Sequence, residues 1–203
     1  MRVLLLVVAL VLSGWTHAER LILAPTGKKV PFGTARLEYL FDQAERDWHR
    51  TSLAVGVTTS IDAELTYENI EGHDRVLSYD VSYNILPPLT NLAPGFSVGL
   101  RDGTGKTKDG RFVYAASTFR FGQLGQFNGD SPAEATLGFA IGDRTTPFVG
   151  VVLPFRESFR LLAEFDTRRT SGGLEFRPHR DVWVRWIHRE KQSLWSLTLV
   201  SRW

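Results

Sequence analysis

The chain has 203 residues, 43% of them hydrophobic and 12% aromatic, with 24 lysines and arginines set against 22 aspartates and glutamates. That near-balance, with arginine concentrated in the last third, argues against a dedicated nucleic-acid binder. The absence of cysteine excludes disulfides, thiolate catalysis and cysteine metal sites, so stability has to come from burial and strand pairing.

Met1-Arg2, the apolar run Val3 to Leu12 and the stretch Ser13 to Ala18 supply the charged, hydrophobic and small-residue regions of a secretory signal peptide, with cleavage expected after Ala18. A membrane anchor would need about twenty apolar residues, and this run has barely half. No later run approaches that length, so residence in a membrane would have to be as a barrel or at the surface. The remaining chain reads as an extended lead-in over residues 19–32 and one domain over 33–203, with no linker-like or low-complexity tract between them.

The lead-in (ERLILAPTGKKVP) carries two prolines, two lysines and a turn near Thr26-Gly27. From Gly33 to Asp42 two periods compete. Leu37, Tyr39 and Phe41 alternate as in a strand, whereas Leu37, Leu40, Phe41, Ala44 and Trp48 match a helix face. A strand is expected, because everything downstream alternates. Leu53, Val55 and Val57 line one strand; Ile61, Ala63, Leu65 and Tyr67 line the next, with Asp62, Glu64, Thr66 and Glu68 opposite. Three carboxylates on one face are expected to see water or cations, since burial without partners is costly. Leu77, Tyr79, Val81 and Tyr83 follow after a turn over 69–74, then a proline-rich connection from Ile85 to Gly95 and a strand with Phe96, Val98 and Leu100. The loop Asp102 to Gly110 is rich in glycine and lysine but lacks P-loop spacing and no helix follows it.

Arg111 to Phe121 resumes the extended pattern, and a connection from Gly122 to Pro132 leads to Leu137, Phe139 and Ile141. Further strands are expected over Phe148 to Leu153, Phe159 to Phe165, a short stretch around Leu174 and Phe176, and Val182 to Trp186. Turns are expected at Gly142 to Arg144, Pro154 to Ser158, Thr167 to Gly173, Pro178 to Arg180 and Arg189 to Gln192. In the last segment Trp195, Leu197, Leu199 and Trp203 share one face, with Ser201 the polar exception among them. An aromatic chain end suits a closing barrel strand, with Trp195 and Trp203 at the membrane interface and Trp203 as a mark for the barrel-assembly machinery.

The count is about twelve strands, in the range 10–12, which predicts an all-β, antiparallel up-and-down transmembrane barrel of the outer membrane, in contact with its lipid. Two features strain that expectation. Several strands after Ala133 look shorter than the roughly nine to eleven residues a spanning strand needs, and the two long connections fall on the side of the chain ends. An incompletely closed sheet would accommodate both. Because alternation alone does not tell inside from outside, a soluble periplasmic β-sandwich or lipocalin-like binding barrel is the rival fold.

Three stretches resemble the YjbH-like outer-membrane β-barrel family associated with exopolysaccharide production, of which this would be a short member. They are Leu21 to Tyr39 (LILAPTGKKVPFGTARLEY), Pro94 to Gly105 (PGFSVGLRDGTG) with Val113 to Ser117 (VYAAS), and Pro147 to Val151 with Leu162 to Asp166 and Gly173 to Phe176. The resemblance implies a non-enzymatic role in envelope structure or in exopolysaccharide secretion or surface handling, with an anionic polysaccharide as partner. It brings no catalytic residues and no cofactor.

If the apolar faces meet lipid, then Arg36, Glu38, Asp42, Asp62, Glu64, Glu68, Asp80, Arg101, Arg160, Glu164, Asp166, Glu175, Arg177 and Arg185 point into the lumen. Opposite charges pairing across a narrow lumen is the favoured reading; a hydrated passage in which arginines grip anionic sugars is the alternative. An outer-membrane hydrolase acting on lipid or lipopolysaccharide would need a serine beside a histidine. His49 near Thr51-Ser52 and His188 across from Ser196 are its candidates.

Overall fold

The protein is described here by a computed structural model covering residues 21–22, 24–43, 48–69, 75–89, 93–107, 110–121, 132–156, 158–167 and 169–203. The expected leader, the turn over 70–74 and most of the connection before Pro132 lie outside the described residues. The described chain forms β1 (Thr34–Asp42), β2 (His49–Gly56), β3 (Ile61–Asn69), β4 (Val76–Leu86), β5 (Gly95–Arg101), β6 (Phe112–Phe121), β7 (Ala133–Ile141), β8 (Thr145–Arg156), β9 (Phe159–Phe165), β10 (Thr170–His179), β11 (Val182–Arg189) and β12 (Gln192–Arg202). Each strand pairs antiparallel with its neighbours in sequence, and β1 pairs with β12 to complete a closed barrel.

Closure is full. β1 and β12 run in register from Thr34 opposite Arg202 to Asp42 opposite Leu194, so the incompletely closed sheet is corrected. Thr34 to Asp42 is a strand, and the helical alternative over that segment is gone. The seam hides both edges, which matters because an unpaired edge within lipid would leave main-chain groups unsatisfied.

Alternation places the side chains inside out. Leu65 is 54% exposed, Leu77 60% and Leu137 52%, while Ser97 and Thr118 are fully buried and Glu175 is 1% exposed. Large apolar side chains on the outside of a closed sheet, with charges within, are the architecture of a transmembrane barrel and overturn the lipocalin-like rival. Aromatics collect toward the strand ends. Tyr39, Phe41, His49 and Tyr67 group near the end away from the termini. Phe159 stacks on Phe176 at 4.8 Å near the other.

Proline and glycine misplace some strand limits in the sequence. β8 runs for 12 residues through Pro147 and Pro154, with a register shift just past Pro154 where a ladder donor is missing. β10 is a full ten-residue strand and not a short one. Gly172 and Gly173, expected in a turn, lie inside it, paired in register with both neighbouring strands, and a Cβ on Gly173 would come within 2.6 Å of the Trp186 carbonyl oxygen. The turn is confined to Asp166–Arg169, with Thr167 in the left-handed region at φ 63°. β4 likewise runs on to Leu86, and β10 to His179, into stretches expected as connection and turn. Only β9 and β11, of seven and eight residues, stay short among the later strands. The strand directions leave the two long connections at the end of the barrel that holds the start of β1 and the finish of β12.

Candidate functional site

The lumen is the site, and the lead-in occupies it. Gly33 sits at φ 74° at the barrel rim, where a Cβ would meet the Trp203 carbonyl oxygen at 2.8 Å, and its own carbonyl accepts the Trp203 N–H. Preceding it, residues 24–31 cross the interior in an irregular extended path that joins no strand; the neighbouring Phe32 makes an isolated bridge to Gly56. The wall holds this segment mainly by side chains. Glu164 accepts the N–H groups of Ile22 and Ala24 at 3.0 and 2.8 Å, and Asp62 accepts that of Val30 at 2.6 Å. Thr118 accepts from Gly27, Asn84 donates to the Gly27 carbonyl, Ser97 donates to that of Thr26, and Lys28 pairs with Glu134. Glycine at position 27 allows the approach, since a Cβ there would lie 2.6 Å from the Gly95 oxygen and 2.7 Å from the Thr118 nitrogen.

The first described residues of the segment are apolar. Leu21 and Ile22 belong to a buried cluster with Leu40, Phe148, Val152, Leu162, Ile187 and Leu194, contributed by β1, β8, β9, β11 and β12. Inward apolar residues are unusual in a polar lumen. Here they form a collar around Leu21 and Ile22, so the lead-in as well as side chains fills the interior.

The inward charges are paired by strand register. Arg160 and Arg185 lie directly opposite Glu175 on the two flanking strands. Glu175 receives Nε of Arg185 at 2.7 Å and Nε of Arg177 at 2.5 Å, with Arg160 at 3.9 Å. Arg185 also approaches Glu38, which accepts the Ser196 hydroxyl, and Arg177 lies over the Trp183 ring at 4.2 Å. On the opposite wall Arg36 meets Glu64 at 3.2 Å and Arg101 meets Asp80 at 3.1 Å. Glu68 accepts the Trp48 indole N–H, and Asp62 accepts the Ser82 hydroxyl as well as Val30. The carboxylates expected to meet water or cations therefore meet protein donors. Between the lead-in and this wall lies a cavity of about 60 Å³ lined by Lys29, Arg36, Asp62, Glu64, Asp80 and Arg101, room for a few waters.

Asp42 is buried at the far end of β1. Asp166 departs from the expectation: it accepts the Arg169 N–H in the β9–β10 turn and lies 3.8 Å from Arg189, capping a turn at the barrel end. Lys28, Arg120, Glu134 and Trp183 were missed. Arg120 and Glu134 follow the inward parity of their strands and were legible from it; the lumen position of Lys28 has no periodic signal. Trp195 faces outward near the end away from the termini, and Trp203 is 76% exposed at the other.

The hydrolase candidates do not meet. His49 lies outside between the Tyr39 and Tyr67 rings, while Ser52 points inward to Thr66. His188 is exposed beside Trp186 and Ser196 is buried on the inner face. Among the described residues no cluster of three histidines, aspartates or glutamates is arranged to hold a metal. The Asp102 loop is organised around its own carboxylate, which accepts from Thr104, Gly105 and both donors of Thr107. Burial pushes that carboxyl up, but the hydrogen bonds from Thr107 and Thr104 outweigh it and hold it below the ordinary carboxylate range.

No protein-family profile matches the chain, and no curated protein matches it in sequence. Several solved structures match in fold, two of them at a TM-score of 0.50. These two are the KdgM porin and the KdgM porin in complex with disordered oligogalacturonate, each at 10% identity, covering 84% of this chain and 99% of that chain. At that identity the likeness is one of fold.

Proposed function

We propose that the protein is an outer-membrane barrel with a non-enzymatic, porin-like role in handling an anionic saccharide of the cell envelope. The observation that carries this reading is the inside-out barrel whose interior wall gathers arginines from β1, β5, β9, β10 and β11, with Trp183 among them. Guanidinium forks suit sugar carboxylates, and an indole face suits a cation or an apolar ring face. The porin likeness supports it, since one of those porins was solved with oligogalacturonate, an anionic saccharide. The YjbH-like motifs support exopolysaccharide as the saccharide and secretion or surface handling as the setting. Outer-membrane lipid surrounds the apolar belt in this reading, and the barrel-assembly machinery receives the β12 end.

Two measurements test it. Fractionation should place the protein with the outer membrane, and recovery from the soluble periplasm without detergent would end the membrane reading. Calorimetric titration of detergent-solubilised protein with oligogalacturonate should show binding that a neutral oligosaccharide does not. Arg101→Ala, which removes a partly accessible lumen guanidinium, should weaken that binding about tenfold, equivalent to about 1.4 kcal/mol. Equal binding of both saccharides would sink the anionic assignment.

A further inference from the structure

We infer that the segment described by residues 21–22 and 24–31 is a displaceable plug, an internal ligand that occupies the lumen in competition with whatever the barrel passes. The inference rests on the porin-like reading for its purpose, and stands on its own geometry for its mechanism.

The segment is bound as a ligand is bound. Apart from the rim, where Phe32 bridges Gly56 and the Pro31 carbonyl accepts the Thr34 N–H, the described main-chain groups of the segment bond to wall side chains from β3, β4, β5, β6 and β9, because most of the wall's own main-chain groups are spent in the ladder. Its first described residues, Leu21 and Ile22, are an apolar pair seated in an apolar collar. Among the described residues its covalent continuation into the barrel runs through Gly33, in a left-handed conformation at the rim.

The wall is prepared for its departure. Glu134, which holds Lys28, also receives Nε of Arg120 at 3.0 Å. Asp62, which holds Val30, also accepts from Ser82, and Thr118, which holds Gly27, also bonds Thr136 at 2.8 Å. Three of the groups that grip the plug therefore keep a protein partner when it leaves, so the emptied lumen does not strand those polar groups. The cavity beside Arg36 and Arg101 shows that this flank of the plug is loosely packed already. Two states of one lumen, plugged and empty, follow. A ligand that binds only the empty state shifts the population toward it, and the plug lowers that ligand's apparent affinity in proportion.

The test uses the full chain in planar bilayers with potassium chloride alone. Its failure is thus separate from failure of the saccharide assignment, which is read by binding. Leu21→Cys/Gly150→Cys ties the plug to β8. A Cβ at Gly150 would lie 2.4 Å from Leu21 Cδ1, two bonds from that residue's own Cβ, so a disulfide span of about 3.5–4.5 Å is within reach. No native cysteine interferes. The oxidised form should be silent, and reduction should restore at least a tenfold higher mean conductance. Gly27→Leu collides with wall backbone that cannot yield, and should raise mean conductance at least tenfold over the parent. Conductance equal in oxidised and reduced forms would overturn the plug, as would a Gly27→Leu barrel that inserts normally and conducts no more than the parent.

Discussion

Glu175 shows what a single side chain does inside this barrel. It is 1% exposed and neutralises guanidiniums from its own strand and both neighbours, while the flanking ladders leave it no room to reorient. Glu175→Gln removes the shared anion and leaves buried cations facing one another, so unfolding in urea and micelles should show a loss of about 3–5 kcal/mol. Arg160→Met, removing the longest of these contacts, should cost much less; equal losses would mean that the carboxylate is not the hub. Asp102 provides the pH-dependent counterpart outside the membrane. Its carboxyl titrates below the ordinary value in the fold, so the order it gives the loop is complete above the unfolded pKa of about 3.9 and is lost as pH falls through the folded value. Protection of the Gly105 and Thr107 amides, with the intrinsic pH dependence of exchange divided out, should therefore fall below about pH 4 and be unchanged between pH 6 and 8. Asp102→Asn, which tolerates the φ of 47°, should show lower protection at these amides across that whole range.

β12 is the element on which closure depends. Its inner face, with Leu194, Ser196 and Thr198, is buried, and its outer face carries Trp195, Leu197 and Leu199 into the lipid belt. Ser201, the polar exception, lies one residue from the end of the strand and outside the middle of that belt, where lipid contact is least demanding. Leu197→Arg near mid-strand should cost about 2–4 kcal/mol in vesicles, and Ser201→Arg about 0–1. A reversed order would contradict this placement of the belt. Deleting Trp203 should reduce membrane insertion more than export, measured as assembled against periplasmic protein. The existence and order of such strands were legible, because the alternation of Leu, Val, Tyr and Phe with Ser, Thr and charged residues reports a two-sided environment directly. Their limits at β8 and β10 were not, since Pro154 and Gly172-Gly173 carry turn chemistry that ladder pairing overrode.

At the scale of the molecule, closure converts twelve strands into one unit in which every interior strand edge has a partner. The protein should migrate faster on a gel before boiling than after, and identical mobility would argue against a stable closed barrel. The lumen charges were legible as a set, by parity, in Arg36, Glu38, Glu64, Arg101 and Arg185. Their partners were not, because Glu175 finds Arg160 and Arg185 through a register that no local pattern encodes. The sequence by itself determined that there are about twelve strands and which residues share each strand face, both consequences of side-chain periodicity within single segments. Tertiary structure alone decided that the sheet closes, that the apolar faces look outward, and that Leu21 to Pro31 lies inside. Each of these depends on contacts between residues distant in the chain: the lead-in meets Thr118, Glu134 and Glu164 across the barrel, and an aperiodic segment of eleven residues carries no local sign of where it will bind.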